Sequence, residues 1–440
     1  MIIMKIKIKQ IAAAISIGLL STSALAQSEI FAGQSGTISD IGDVVQILLP
    51  AGGLAGSLWI GDTEGAWQLT KGVATTSAIT HGLKFSYERL RPDGSEHNSF
   101  PSGHTSAAFS GAAYIHHRYG NAWGIPAYGA AAFVGASRVW ANRHYLDDVM
   151  AGGSIAVLSS LYWTEPYNQS DFVISPTIGE GSVGLSVNYT PGRAGAKSDL
   201  SSKHKSDWGK VNKSYRNSYE LFIGGADTNE NSIQDAGGQA FDLYDFSRES
   251  EPHTYSSARV KWGLDEAQYL YFSFTPFESR DTSKLNEDIH FGGKQYRAGK
   301  EVVSAYRLYG LTADYLFELL PNSDWKLDVG AGVSVNHLSI RLDDIEGDNL
   351  SEREDWFIAP AAIAEVGYQF TDSISANIGY RASFSGTADS QDVWVSFDYR
   401  FDERWSTSLV AGQFEQQIET NELINDLSLA YGGFTVAYAF

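Results

Sequence analysis

The sequence predicts a two-domain α + β chain: an N-terminal all-α helical bundle, then a C-terminal antiparallel transmembrane β-barrel of about ten strands. Three observations predict it. Up to Trp163 the chain is rich in Ala, Gly and other helix-compatible residues, and after Glu165-Pro166 that texture ends. From Asn217 onward, apolar and polar residues alternate with a period of two, the mark of strands with two different faces. The connections between those segments alternate between short turns and longer polar stretches, as in barrels that cross a membrane.

A chain of 440 residues is long enough for two cores. It has no cysteine, which excludes disulfides, thiol nucleophiles and cysteine-ligated metals. A net charge of −20 argues against a nucleic-acid partner, because binding a phosphate backbone needs a basic face. Residues 1–26 read as a secretory signal. Lys5, Lys7 and Lys9 form the positive start, Ile11 to Leu20 the short apolar run, and Ala24-Leu25-Ala26 the cleavage site before Gln27. The expectation is export from the cytoplasm.

Residues 27–166 form the expected helical domain. Helices are read at Val44 to Ile60, Ala66 to Leu90, Thr105 to Arg118, Ala122 to Arg138 and His144 to Trp163. The most apolar, Ala122 to Ser137, is too short for a bilayer span and reads as a bundle helix. In residues 167–216, Phe172 to Ile178 and Val183 to Thr190 read as a hairpin around Gly179-Glu180-Gly181, and Gly192 to Arg216 as a polar linker.

Residues 217–440 form the expected barrel. Its strands are read at 217–226, 254–263, 267–277, 302–317, 325–341, 355–370, 373–384, 391–401, 404–413 and 427–440. Short turns fall at 264–266, 321–324, 371–372 and 402–404; longer connections, including acidic Asp343 to Asp355, separate the others. In the last strand Phe434, Val436, Tyr438 and Phe440 share a lipid-type face, while Thr435, Ala437 and Ala439 share the other. The terminal Phe440 resembles the C-terminal signature of Gram-negative outer-membrane barrels, which implies the barrel-assembly machinery as a partner. The competing reading of this half is a water-soluble β-sandwich or barrel.

The chemistry-bearing residues lie between Lys84 and Asp148. Lys84 and Arg91 are seven apart, which on one helix ended by Pro92 puts both cations on one face, able to clamp a dianion. Pro101-Ser102-Gly103-His104 precedes an Ala-rich helix. Ser102 suits the N-cap, and Gly103 lets the backbone approach an anion at the helix start, beside His104. Arg138 follows Ser137 at the end of the next helix. His144 and Asp148 are four apart, so on a helix the carboxylate holds one ring nitrogen and frees the other to attack. Arg89 and Arg143 read as rim cations, His97 as a loop residue within reach of substrate, and Asp147 as structural or solvated. His116 and His117 read as surface residues, and Trp140 and Tyr145 as core.

Lys-x6-Arg-Pro, Pro-Ser-Gly-His and Ser-Arg-x5-His-x3-Asp occur in that order, without substitution. This resembles the type 2 phosphatidic acid phosphatase superfamily, which includes bacterial class A acid phosphatases and vanadium haloperoxidases. The resemblance covers roughly residues 40–165 and none of the barrel. It implies that His144 is the nucleophile and forms a phosphohistidine, that Asp148 orients it, and that His104 protonates the leaving oxygen. It implies that Lys84, Arg91, Ser102, Gly103 and Arg138 bind the phosphoryl oxygens. No metal or other cofactor is expected, since cationic side chains meet the charge demand of phosphoryl transfer.

A barrel following an exported domain would hold that domain on the periplasmic side of the outer membrane. Tethering there favours a membrane-borne phosphomonoester or pyrophosphate, a phosphorylated lipid, over a small soluble phosphomonoester. The alternatives are a vanadium-dependent haloperoxidase-like enzyme, and a barrel channel with an accessory helical domain.

Overall fold

A computed structural model describes residues 35–167, 172–179, 182–189, 217–243, 253–265, 267–321, 323–344 and 349–440. The signal-like residues 1–26 and the linker read at 192–216 lie outside the described residues. The chain divides into two compact units, Met1–Ser198 and Asp199–Phe440.

The first unit holds helices α1 (Ser35–Trp59), α2 (Thr63–Tyr87), α3 (Gly103–Tyr119), α4 (Asn121–Trp140) and α5 (Leu146–Trp163), then the hairpin β1 (Phe172–Gly179) and β2 (Ser182–Tyr189). Small residues let the helices approach closely. Ala108 and Ala112 of α3 pack on Ala127, Ala131 and Val134 of α4, with Val45 and Leu49 of α1 against them. A Cβ on Gly111 would lie 2.3 Å from the Pro50 nitrogen in α1, so the α1–α3 crossing requires a glycine there. A lock of buried polar groups fixes the far end. Asp62 caps α2 through the Gly65 N–H and accepts Arg118 Nε at 2.8 Å and the Tyr119 hydroxyl at 2.9 Å. Among the described residues one helix stretch, Gly36–Trp59, is long and apolar enough to cross a membrane, with mean hydropathy 1.4.

Three boundaries that bear on the site differ from the sequence reading. Helix α1 starts at Ser35, well ahead of the expected Val44, and so carries Asp43. Helix α2 ends at Tyr87, ahead of Pro92, with Glu88 in the left-handed region at φ 42°. Arg91 therefore lies in a loop and does not share a helix face with Lys84. Tertiary pairing explains the early stop: Arg89 turns inward onto buried acids, and the Arg91 N–H donates to the Glu96 carbonyl. Helix α5 starts at Leu146, so His144 precedes it, in a turn where Asn142 takes φ 51°, a conformation Asn tolerates.

The second unit is a closed antiparallel barrel of ten strands. These are β3 (Ser218–Asp235), β5 (His253–Gly263), β6 (Gln268–Lys284), β9 (Glu301–Glu318), β10 (Trp325–Asp344), β11 (Leu350–Thr371), β12 (Ile374–Ser383), β13 (Ala388–Arg400), β14 (Trp405–Glu419) and β15 (Leu423–Ala439). Each pairs with the next, and β15 closes on β3 with Ala439 opposite Ser218. The short pieces β4 (Phe241–Asp242), β7 (Ile289–Phe291) and β8 (Lys294–Tyr296) lie in the connections at the other end. Pairing of β15 with β3 over Ser218–Asp235 removes the two end edges of the sheet, as a sheet in lipid requires.

Alternation divides the two faces. On β13, Val393, Val395 and Phe397 are exposed on the outside, while Asp392, Trp394, Ser396 and Asp398 line the interior. Thr435 and Ala437 also line the interior, and Phe434 faces out. Aromatic pairs stand at the short-turn end: Trp325 with Tyr368 and Trp405 with Tyr438, each at 4.9 Å between ring centres. Inside, charged and aromatic groups line a cavity of about 860 Å³ near the short turns. Towards the other end a buried apolar cluster containing Phe277, Tyr306, Leu338, Ile340 and Ile418 packs the interior.

The expected long connections are partly strand. Between β12 and β13 only residues 384–387 remain, and between β14 and β15 only 420–422. The acidic stretch after Asp343 is also largely β11: Glu352, Arg353, Glu354 and Asp355 are paired across to β10. Over Ser351–Asp355 of β11 both faces are polar, so the alternation that marks a strand in sequence fades while its hydrogen bonding continues.

Candidate active site

The three motifs converge where α1, the loop after α2, the start of α3, the end of α4 and the turn before α5 meet. At the base is Asp148, fully buried in the first turn of α5. It accepts the Tyr145 N–H at 2.8 Å, Arg89 Nη1 at 3.0 Å and the Ser99 hydroxyl. Its Oδ2 stands 3.4 Å from His144 Nδ1. Burial raises the Asp148 carboxyl, but the Arg89 and His144 groups and the Ser99 hydroxyl outweigh it and hold the pKa below the usual range. The His144 ring is itself buried. Burial pushes it below the ordinary imidazole range; Asp148 opposes that, while Lys84 and Arg91 add to it. The shift favours the neutral ring, and Nε2 is the nitrogen that does not face Asp148.

The Pro-Ser-Gly-His motif is tied to this base. The Ser102 N–H donates to the Asp148 carbonyl at 2.9 Å, after a cis Phe100–Pro101 bond. Ser102 caps α3 with extended backbone, and its hydroxyl receives the Thr105 hydroxyl at 3.0 Å. Gly152 of α5 permits the contact, since a Cβ there would lie 2.6 Å from the Ser102 carbonyl. Gly103 and His104 follow at the helix start, where backbone N–H groups favour an anion. The His104 side chain is about one-third exposed, with Nε2 3.1 Å from Asp43 Oδ1. Burial and the Arg138 cation push its pKa well down; Asp43 pulls it up, and His144 and Arg91 push it down.

Three cations surround the histidines. Lys84 donates to the carbonyls of Asn98 and Ser99, and burial lowers its pKa to about 8, with Asp148 raising it and Arg91 lowering it. Arg91 donates from Nε to Asn98 Oδ1 at 2.9 Å and pairs with Glu96 at 3.1 Å, which sets the loop as a shelf for the guanidinium. Arg138 is buried, with Nη1 2.7 Å from Asp43 Oδ1.

Other expectations resolve differently. Arg89 is no rim cation: it stacks 3.8 Å from the Tyr145 ring centre and binds Asp147 and Asp148. Asp147 is fully buried and structural. Arg143 pairs with Asp93 at 3.0 Å on the exposed rim, and His97 contacts the Glu88 carbonyl. His116 and His117 are half-buried rather than surface groups, because His117 Nδ1 meets the Ser160 hydroxyl of α5 and His116 stacks on Tyr128. Two site residues went unread in the sequence: Asp43, which has no local motif, and Ser99, which lies between two motifs.

A family model described as the PAP2 superfamily matches residues 65–170. Among curated proteins, a lipid A 1-phosphatase from Porphyromonas gingivalis is 40% identical over 90 residues, 20% of this chain and 20% of that protein. A lipid A 4'-phosphatase from Helicobacter pylori is 29% identical over 168 residues, 34% of this chain and 84% of that protein. The chain thus spans one fifth of the first relative's length and most of the second's. The second unit is similar in fold to the outer membrane protease OmpT from Escherichia coli, at 10% identity and TM-score 0.35, over 51% of this chain and 96% of that one.

Proposed function

We propose that this chain, whose residues 65–170 carry a PAP2 superfamily domain, is an outer-membrane-anchored phosphatase that releases phosphate from a phosphorylated lipid. The observation that supports it most is the stacked pair at the base. A buried His144 is backed by buried Asp148, with Lys84, Arg91 and Arg138 placed around it. Phosphoryl transfer needs a positioned nucleophile and compensation of charge on three oxygens, and this arrangement offers both.

In this reading His144 Nε2 attacks phosphorus as the bond to the leaving oxygen breaks. Asp148 stabilises the positive charge that the ring acquires. His104 gives a proton to the leaving oxygen, then takes one from the water that cleaves the P–N bond. Lys84, Arg91 and Arg138, with Ser102 and the Gly103 N–H, hold the three phosphoryl oxygens. The phosphate dianion would raise the pKa of His104 and so favour its protonated form.

The lipid reading draws on the rim and on the relatives, both named for action on lipid A. Ile41, Val44 and Ile47 flank Asp43 on α1 and are about half exposed or more; Phe85, beside Lys84, is 81% exposed. Apolar groups beside a phosphate site suit a substrate with acyl chains. The barrel's first strand starts at the short-turn end, which in outer-membrane barrels is the periplasmic one; this supports a periplasmic helical domain.

The test is phosphate release by the detergent-solubilised chain from lipid phosphates and from p-nitrophenyl phosphate, beside His144→Ala. Loss of about 10³-fold or more in the variant, with lipid preferred over the aryl ester, is expected. Equal release from both proteins would remove the phosphohistidine route.

A further inference from the structure

We propose that Asp43 is a positioning residue for this reaction: its carboxylate, carried by α1, links His104 to Arg138 and orients His104 to give its proton to the leaving group. The inference rests on the phosphatase reading. A single oxygen, Oδ1, lies 2.7 Å from Arg138 Nη1 and 3.1 Å from His104 Nε2, so ring and guanidinium are fixed relative to one another. Two further contacts seat α1 there. Arg138 Nη2 donates to the Ser39 carbonyl, and a Cβ on Gly42 would come within 2.4 Å of Ser137 Oγ and 2.7 Å of Arg138 Nη2. A larger residue at Gly42 would have to displace the Ser137 hydroxyl and the Arg138 guanidinium.

The charge balance around His104 shows what Asp43 does. Arg138 faces it from α4, His144 from the turn before α5 and Arg91 from the loop after α2. Lys84 of α2 stands beside Gly103, within 3.8 Å of where a Cβ would be. Burial, Arg138, His144 and Arg91 oppose protonation of the ring, whereas the Asp43 carboxylate favours it. With Nε2 on Asp43, Nδ1 is the nitrogen left to pass its proton to the leaving oxygen as the P–O bond breaks. The ring recovers that proton from the water that opens the phosphohistidine.

Asp43→Asn in the full chain tests this. Losing the charge should move the basic limb of kcat/KM about one pH unit lower. It should also cost an alkyl phosphate roughly tenfold more than p-nitrophenyl phosphate, whose leaving group departs without a proton. Asp43→Glu, which keeps the charge, should retain the wild-type limb. An unmoved limb with equal losses on both substrates would reduce Asp43 to a packing contact. Histidine NMR titration of wild type and Asp43→Asn, assigned with His104→Ala, reads the link without turnover. A lower His104 pKa in the variant supports the proposal and an unchanged one overturns it. Absence of phosphate release by the wild type would bring down the phosphatase reading alone.

Discussion

At Lys84 burial has a direct consequence for how a phosphate would be held. The ammonium is half-buried and donates to two carbonyls, and its pKa falls to about 8. Below that pH the group is charged and attracts a dianion; above it the group becomes neutral and the attraction goes. Beyond the limb set by His104 at lower pH, we expect a second fall in kcat/KM as pH rises through about 8, because that ratio reports the free protein. A substrate dianion raises the lysine pKa in the complex, so kcat should hold to higher pH. Lys84→Arg stays charged throughout and should lack this limb, though a planar fork replaces a point charge. Equal alkaline limbs in both proteins would assign the titration elsewhere.

At the scale of the element, the helices reach the site through glycine contacts. Gly111 sets the α1–α3 crossing, and α1 in turn delivers Asp43. Gly111→Val should destabilise the helical unit by about 1–3 kcal/mol, the usual range for overpacking, and displace α1 from Arg138. The check is thermal loss of helical circular dichroism, read beside the heat-shift of the barrel on gels. An unchanged helical transition would show that the crossing relaxes freely. Helix ends were the least legible elements. The early stop of α2 and late start of α5 follow from Arg89 meeting Asp147 and Asp148, a contact across 58 residues of sequence. The N-cap at Ser102 was legible because capping is local.

On the scale of the whole molecule, the barrel faces make the sharpest contrast. Val395 is half exposed on the outside and Ser396 lines the interior cavity, one residue further on. If the outer band lies in lipid, Val395→Arg should cost about 2–4 kcal/mol near the bilayer midplane, whereas Ser396→Arg should cost much less. Folding titrations into lipid vesicles measure both. Similar costs at the two positions would favour a barrel standing in water.

The sequence alone determined the periodic and the local. Ten strands were placed because a two-faced strand repeats every second residue, and the five helices because their texture persists over many residues. The order of Lys84, Arg91, Ser102, Gly103, His104, Arg138, His144 and Asp148 was visible because short motifs keep their spacing. What tertiary structure alone decided was the arrangement of charges. Arg89 proved an internal partner of two acids rather than a rim cation, and Asp43 came to the site from 61 residues before His104. The strand ends beyond the apolar band were also decided there. An ion pair between distant residues, or a strand wet on both faces, leaves no period and no fixed spacing in the chain, since its cause is packing and hydrogen bonding in space.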